Sequence, residues 1–403
     1  MAKKPNIRFA GFEDDWEQRK LGEIADKVSE KNKNNEFSEP FTNSAEQGII
    51  SQKDYFDREI VNNENLDSYY IVRNDDFIYN PRISVTAPVG PINRNRLGRN
   101  GVMSPLYTVF RTHDIDNLYL EFYFKTTKWH RFMKLNGDSG ARFDRFTISS
   151  TQFMEMPIPY PMLDEQRKIG EYFDALYNLI TLHQRKCDEL KKVKKFMLQK
   201  MFPKKGEKNP EIRFDGFTND WEQRKLNEVA EFNPKSDLPE SFEYVDLESV
   251  VGTEMVSHRT ETKETAPSRA QRLAQTGDVF FQTVRPYQRN NYLFTKPDNN
   301  YVFSTGYAHM RPKIDAEFLM CFLQTDGFVK VVLDNCTGTS YPAINSNDLS
   351  NLEIDLPTSE DEQRRIGCFI TNLDNLITLH QRKCEELKNV KKYMLQNMFA
   401  KGE

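Results

Sequence analysis

The sequence predicts an α+β chain: two mixed α/β modules joined by two long antiparallel coiled-coil helices, the whole a pseudo-two-fold internal repeat. Two repeated blocks and one heptad pattern predict it. Residues 7–25, IRFAGFEDDWEQRKLGEIA, return at 212–230 as IRFDGFTNDWEQRKLNEVA, an offset of 205. Residues 164–202, DEQRKIGEYFDALYNLITLHQRKCDELKKVKKFMLQKMF, return at 361–399 as DEQRRIGCFITNLDNLITLHQRKCEELKNVKKYMLQNMF, an offset of 197. The inserts between these frames, 26–163 and 231–360, differ from each other. Near-identical frames around unlike inserts point to one scaffold carrying two different binding modules.

The second repeated block carries the heptad. It holds no Pro and, after Gly170, no Gly. Ile169, Phe173, Leu176, Ile180, His183, Cys187 and Leu190 follow steps of 4 and 3, and Ile366, Ile370, Leu373, Ile377, His380, Cys384 and Leu387 repeat them. Ser359 with Glu362 gives a capping-box start to the second helix. Neither seam can be buried alone, so the economical solution packs one helix on the other; a two-fold axis across them makes the pair antiparallel with a module at each end. The alternative is a coiled coil between two molecules. His183 and His380 in the seam read as a polar notch that sets register, or as a metal or pH site.

The expected division is therefore 1–163 (first module with the N-terminal repeat segment), 164–205 (central helix), 206–360 (second module) and 361–403 (distal helix). Within the modules YYIV, FIYN, LYTVF, FEYVDL, DVFFQTV and NYLF predict strands, and LYLEFYFKTTKWHRFMKL and FLMCFLQ predict helices. Each module also has a strand exit with a basic tail, NDDFIYNPRISV at 74–85 and TGDVFFQTVRPYQRN at 276–290. Each ends in a Gly-rich loop and a Pro-punctuated exit, at 136–161 and 336–357.

Charge is unevenly placed. The whole chain is at −4, but Arg82 to Arg145 holds eleven Lys or Arg against five acids, and 285–313 holds five against one. Aromatic residues interleave with the second cluster. Basic, Asn-rich loops with aromatics suit a nucleic-acid face, because Arg forks onto guanine edges and Asn or Gln onto adenine. The Lys-rich run 191–205 reads as a solvated helix face, a partner contact or a phosphate contact.

No catalytic motif appears in the sequence. There is no GxxxxGK[ST], no HExxH and no Gly-rich dinucleotide loop. Asn80-Pro81-Arg82 and Asn233-Pro234-Lys235 lack the second Pro and the aromatic of an adenine methyltransferase element. Five cysteines without a CxxC pair argue for a reducing cytoplasm, and no apolar run is long enough for a membrane span or a secretory signal.

The alternation of two variable modules with repeated helices, the WEQRKL openings, the DEQR helix starts and the exit TGTSYPAINSNDLSNLEIDLP resemble the specificity subunits of Type I restriction–modification systems, over essentially the whole chain. The first insert departs from that exit with GDSGARFDRFTIS. The resemblance implies that the modules are target recognition domains, each reading one half of a split, asymmetric double-stranded DNA site, with the helices fixing the gap. It implies that the chain is not itself an enzyme. Two modification subunits would carry S-adenosylmethionine and methylate adenine N6, and ATP-dependent restriction subunits with Mg would cleave, all in the cytoplasm. The candidate DNA-facing residues are Arg82, Arg94, Arg96, Arg99, Arg142 and Arg145 in the first module, and Arg285, Tyr287, Arg289, Ser340, Tyr341 and Asn345 in the second. Two competing classes are an enzyme with an unrecognised site, which predicts chemistry by the isolated chain, and a coiled-coil adaptor, which predicts no sequence preference on DNA.

Overall fold

The computed structural model describes residues 4–55, 66–138, 144–338 and 340–400. The chain divides into two compact units, Met1–Leu182 with Lys383–Glu403, and His183–Arg382. The two long helices, Leu163–Lys200 and Glu360–Asn397, are 38 residues each, and each gives one half to either unit.

In both units the heptad positions are those that lose their water. Ile169, Phe173 and Leu176 are buried in the first, and Ile366, Ile370, Leu373 and Ile377 in the second. In the first unit Cys384 Sγ donates to the Ile180 carbonyl and Lys391 lies over the Tyr177 ring. In the second His183 meets His380 and Lys194 meets Asp374. Numbers rise on one helix as they fall on the other, so the pairing is antiparallel. His183 and His380 bring their Nδ1 atoms to 2.8 Å, which requires one nitrogen to donate to the other. Among the described residues no group of three or more His, Cys, Asp or Glu is placed to hold a metal ion.

The repeated blocks explain themselves as one buried ion pair used twice. Arg8 grips Glu165 at 2.6 and 2.8 Å and Trp16 Nε1 donates to the same carboxylate. Arg213 grips Glu362 at 2.7 and 2.8 Å, again with the indole N–H of Trp221. The neighbouring glutamines, Gln166 and Gln363, accept the backbone N–H of Asp116 and Asp315 and donate to the Pro161 and Pro357 carbonyls. IRF, DWEQRKL and DEQR are thus three parts of one joint. It ties the strand pair Glu17–Lys20/Pro157–Tyr160, or Glu222–Lys225/Glu353–Leu356, to the start of a long helix.

Between the frames the unlike inserts fold alike. An antiparallel sheet runs in the order Ala25–Lys27, Thr108–Thr112, Phe77–Tyr79, Ile92–Arg94 in the first unit. The second has Ala230–Phe232, Tyr307–Pro312, Val279–Gln282, Tyr292–Leu293 in the same order. One face packs on a buried helix, Asn117–Phe124 or Ala316–Leu323, each N-capped by an Asp, Asp116 or Asp315. The inserts differ outside this sheet. The second has a further four-stranded sheet that includes a parallel pair, Ser241–Val245 with Tyr301–Ser304, where the first has two separate strand pairs. The stretch read as one helix, LYLEFYFKTTKWHRFMKL, is two, Asn117–Phe124 and His130–Asn136. Thr126 breaks it by turning its hydroxyl back onto the Tyr123 carbonyl.

Candidate nucleic-acid interface

In each unit a central strand of the sheet runs into a loop that pairs with the exit segment. In the first, Phe77–Tyr79 leads to Asn80-Pro81-Arg82, and Arg82 bridges Arg145. The Phe146 N–H donates to Pro81 O at 2.7 Å and the Ile83 N–H to Asp144 O at 3.1 Å. In the second, Val279–Gln282 leads to Thr283-Val284-Arg285, and Val284 bridges Ala343. The Arg285 N–H donates to Pro342 O at 2.7 Å and the Ile344 N–H to Thr283 O at 3.0 Å. A short helix follows each exit, Ser150–Met154 or Ser346–Ser350, capped by Ser149 or Asn345. One backbone plan therefore presents two different sets of side chains.

Side-chain amides set these loops. Asn80 accepts the Arg82 N–H at 2.9 Å and donates to the Asn43 carbonyl at 2.8 Å. Gln282 donates to the Val284 carbonyl and to Gln288 Oε1. Arg285 and Arg289 sit at φ 54° and 56°. That left-handed backbone is costly for a residue with a Cβ and collects at binding loops.

The candidate residues fall into two groups. Arg82 and Arg145 are exposed and adjacent on paired segments. Arg285 lies 4.6 Å over the ring of Tyr341, which is 65% exposed, with Ser340 exposed beside it and Tyr287 half exposed on the adjoining turn. The others are engaged within the protein. Arg94 bonds Asp75 and Glu121, and Arg96 bonds Glu121 and Asp174. Arg99 forks onto Glu39 and holds that carboxyl below the usual carboxylate range. Arg289 bonds the Gln324 carbonyl and Asp326. Asn345 spends its carbonyl on the helix cap and its amide on Asp348. Arg142 lies outside the described residues.

At the start of the strand that leads into the second loop is a buried charge cluster that sequence reading missed. Asp278, 1% exposed, accepts from Arg311 at 2.9 and 3.0 Å and lies 2.7 Å from His309 Nε2. Burial alone would raise its carboxyl, but the bonds from His309 and Arg311 outweigh that and hold it below the usual range. Asp76 with Arg111 is the counterpart in the first unit.

Matching loops with unlike side chains, rich in exposed Arg and Tyr and mounted on a duplicated helical frame, define a two-module recognition protein. The sequence profile described as "Type I restriction modification DNA specificity domain" matches residues 13–192 and 218–389. The chain belongs to this family, the DNA specificity subunits of type I restriction–modification systems. It is 25% identical over 330 residues to the specificity subunit of the type I restriction enzyme MjaVIII of Methanocaldococcus jannaschii, covering 76% of this chain and 75% of that one. The crystal structure of the type I restriction–modification S subunit from M. genitalium superposes with a TM-score of 0.62 at 12% identity, over 98% of this chain and 99% of that one, a likeness of fold. Among the described residues no helix is long and apolar enough to cross a membrane.

Proposed function

We propose that this chain reads a bipartite, asymmetric DNA site, one half per module, and delivers it to catalytic partners while performing no chemistry itself. The single observation that carries this is the repeated loop plan with different side chains: exposed Arg82 and Arg145 on one module, and partly buried Arg285 with exposed Tyr287, Ser340 and Tyr341 on the other. An arginine stacked on a tyrosine keeps its fork free of rotamer disorder, which suits bidentate contact with a guanine edge. In this reading Arg94, Arg96, Arg99, Arg289 and Asn345 build the loops, and Arg142 stays a candidate DNA contact. The recognition domains are 1–163 and 206–360, and the conserved segments 164–205 and 361–403, which contain the helices Leu163–Lys200 and Glu360–Asn397, space them.

The partners in this reading are two modification subunits that bring S-adenosylmethionine for adenine N6 methylation, and restriction subunits that use ATP and Mg, all in the cytoplasm. Repetition supports the number two. Leu179, Leu182, Val193 and Phe196 are exposed on the central helix, and the residues 197 positions on, Leu376, Leu379, Val390 and Tyr393, are exposed on the distal one. Large apolar side chains recurring on an open helix face mark a protein contact. Selection of bound duplexes from a random library, by the chain co-purified with its modification subunit, tests the proposal. Two short sequence blocks at a fixed separation support it. Recovery of no preferred sequence contradicts it and favours an adaptor.

A further inference from the structure

Both long helices carry the same lysine triplet, Lys191, Lys194 and Lys195 on the central one and Lys388, Lys391 and Lys392 on the distal one. In each unit the triplet lines a cleft, but the two clefts differ in charge. The cleft of the second unit, about 650 Å³, also holds Arg289 and three acids, Glu254, Asp326 and Asp374. Lys194 donates to both oxygens of Asp374 at 2.5 and 2.7 Å, and Arg289 is bonded to Asp326. Its four cations and three acids nearly cancel.

The cleft of the first unit, about 580 Å³, is lined by five lysines, Lys125, Lys128, Lys388, Lys391 and Lys392, and among the described residues by no acid. Several sequence differences contribute, two of them on the helices. Where the second helix has Asp374, the first has Tyr177, and Lys391 therefore lies 5.0 Å over a ring instead of bonding a carboxylate. Where the buried helix of the second module ends on Gln324, that of the first ends on Lys125. Two acids close to Lys391 are occupied: Arg96 bonds both Glu121 and Asp174, and Arg94 shares Glu121. Lys125 donates to the buried Asn93, and Lys388 has Glu385 at 4.0 Å on its own helix. Burial pushes both Lys125 and Lys391 below the usual ammonium range, and in Lys391 proximity to Lys125 adds to it. Two such ammonium groups facing one concavity are a standing electrostatic cost that an anion relieves.

We propose that this cleft of the first unit is a binding site for a phosphate-bearing anion, and that the matching cleft of the second unit is not. Phosphate fits better than a single carboxylate because several ammonium groups converging on one cleft, two of them buried, exceed what one carboxylate neutralises. The phosphates would belong to a nucleic-acid backbone or to a free nucleotide. The assignment stands apart from base reading, since none of the described reading residues lines the cleft.

The test is titration of the full chain with sodium tripolyphosphate, followed by calorimetry and phosphorus NMR. One saturable site is expected. Tyr177→Asp, which copies the second unit's own neutralising residue and so keeps the fold, is expected to weaken it about tenfold or more. A Lys194→Gln/Lys195→Gln double variant is expected to leave it unchanged. Affinity is expected to fall as pH rises through the range in which Lys125 and Lys391 lose their protons, ahead of ordinary lysines. Displacement of tripolyphosphate by a short duplex of arbitrary sequence assigns the site to backbone phosphate; displacement by ATP but not by duplex assigns it to a free nucleotide. No saturable binding, equal loss in the Lys194/Lys195 variant, or displacement by polyglutamate as effective as by either phosphate source overturns the proposal.

Discussion

Glu165 and Glu362 show what single residues contribute to this architecture. Each is essentially without solvent contact and satisfied by an arginine fork and an indole N–H. Removing one partner strands a buried charge, which costs about 3–5 kcal/mol. Arg213→Ala is therefore expected to destabilise the second unit by about that amount and to lower its urea midpoint. A loss under about 1 kcal/mol would show the pair to be dispensable. Asp278 gives the corresponding pH dependence. Its folded pKa lies below its unfolded value of 3.8, so its stabilisation is present above that value and is lost as pH falls through the folded one. The second unit is expected to weaken below about pH 4, and Asp278→Asn to flatten that acid limb. An unchanged acid limb in the variant would place the sensitivity elsewhere. At the reading loop, Arg285→Ala is expected to cost about 1–3 kcal/mol and to relax one base position in one half-site only. Equal weakening on every sequence would make Arg285 a phosphate contact.

The residue scale is also where sequence reading was weakest. Arg94, Arg96, Arg99 and Arg289 count as basic surplus along the chain. Their partners Glu121, Asp174, Glu39 and Asp326 stand tens of residues away and come close only through the fold. Arg8, Trp16 and Glu165 all lie in the repeated blocks, so the repetition marked them as important. It did not say that they meet.

Among the elements, the long helices were legible because a heptad is a local period: His183, Cys187 and Leu190 announce the seam without knowledge of the partner. The strands were legible one by one, from runs such as DVFFQTV. Their order was not, because pairing Ala25–Lys27 with Thr108–Thr112 joins segments that no local pattern connects. The glycine of each DEQR helix start has a reason visible only in packing. A Cβ at Gly367 would stand 2.7 Å from the backbone nitrogen of Phe318, and one at Gly170 would stand 2.6 Å from Leu118 Cβ. Backbone cannot yield as a side chain can, so Gly367→Ala is expected to destabilise the second unit by about 1–3 kcal/mol. Thermal unfolding checks it, and a wild-type midpoint would show that the helix can shift aside.

For the whole molecule, the proposed function puts specificity in the modules and spacing in the helices. At about 1.5 Å per residue, one heptad removed from each helix shortens the separation by about 10 Å, or about three base pairs, while preserving the seam. The bases read are expected to stay the same and only the gap to change; altered half-sites with an unaltered gap would separate the helices from spacing. The central claim is tested most directly by co-expressing this chain with its modification subunit in a host lacking adenine methylation and mapping N6-methyladenine across the genome. The account predicts a two-part motif with a fixed gap, absent without this chain, one half of which changes when one insert is exchanged. A soluble complex of the two proteins that leaves no new methylation, or a single undivided motif, would contradict it.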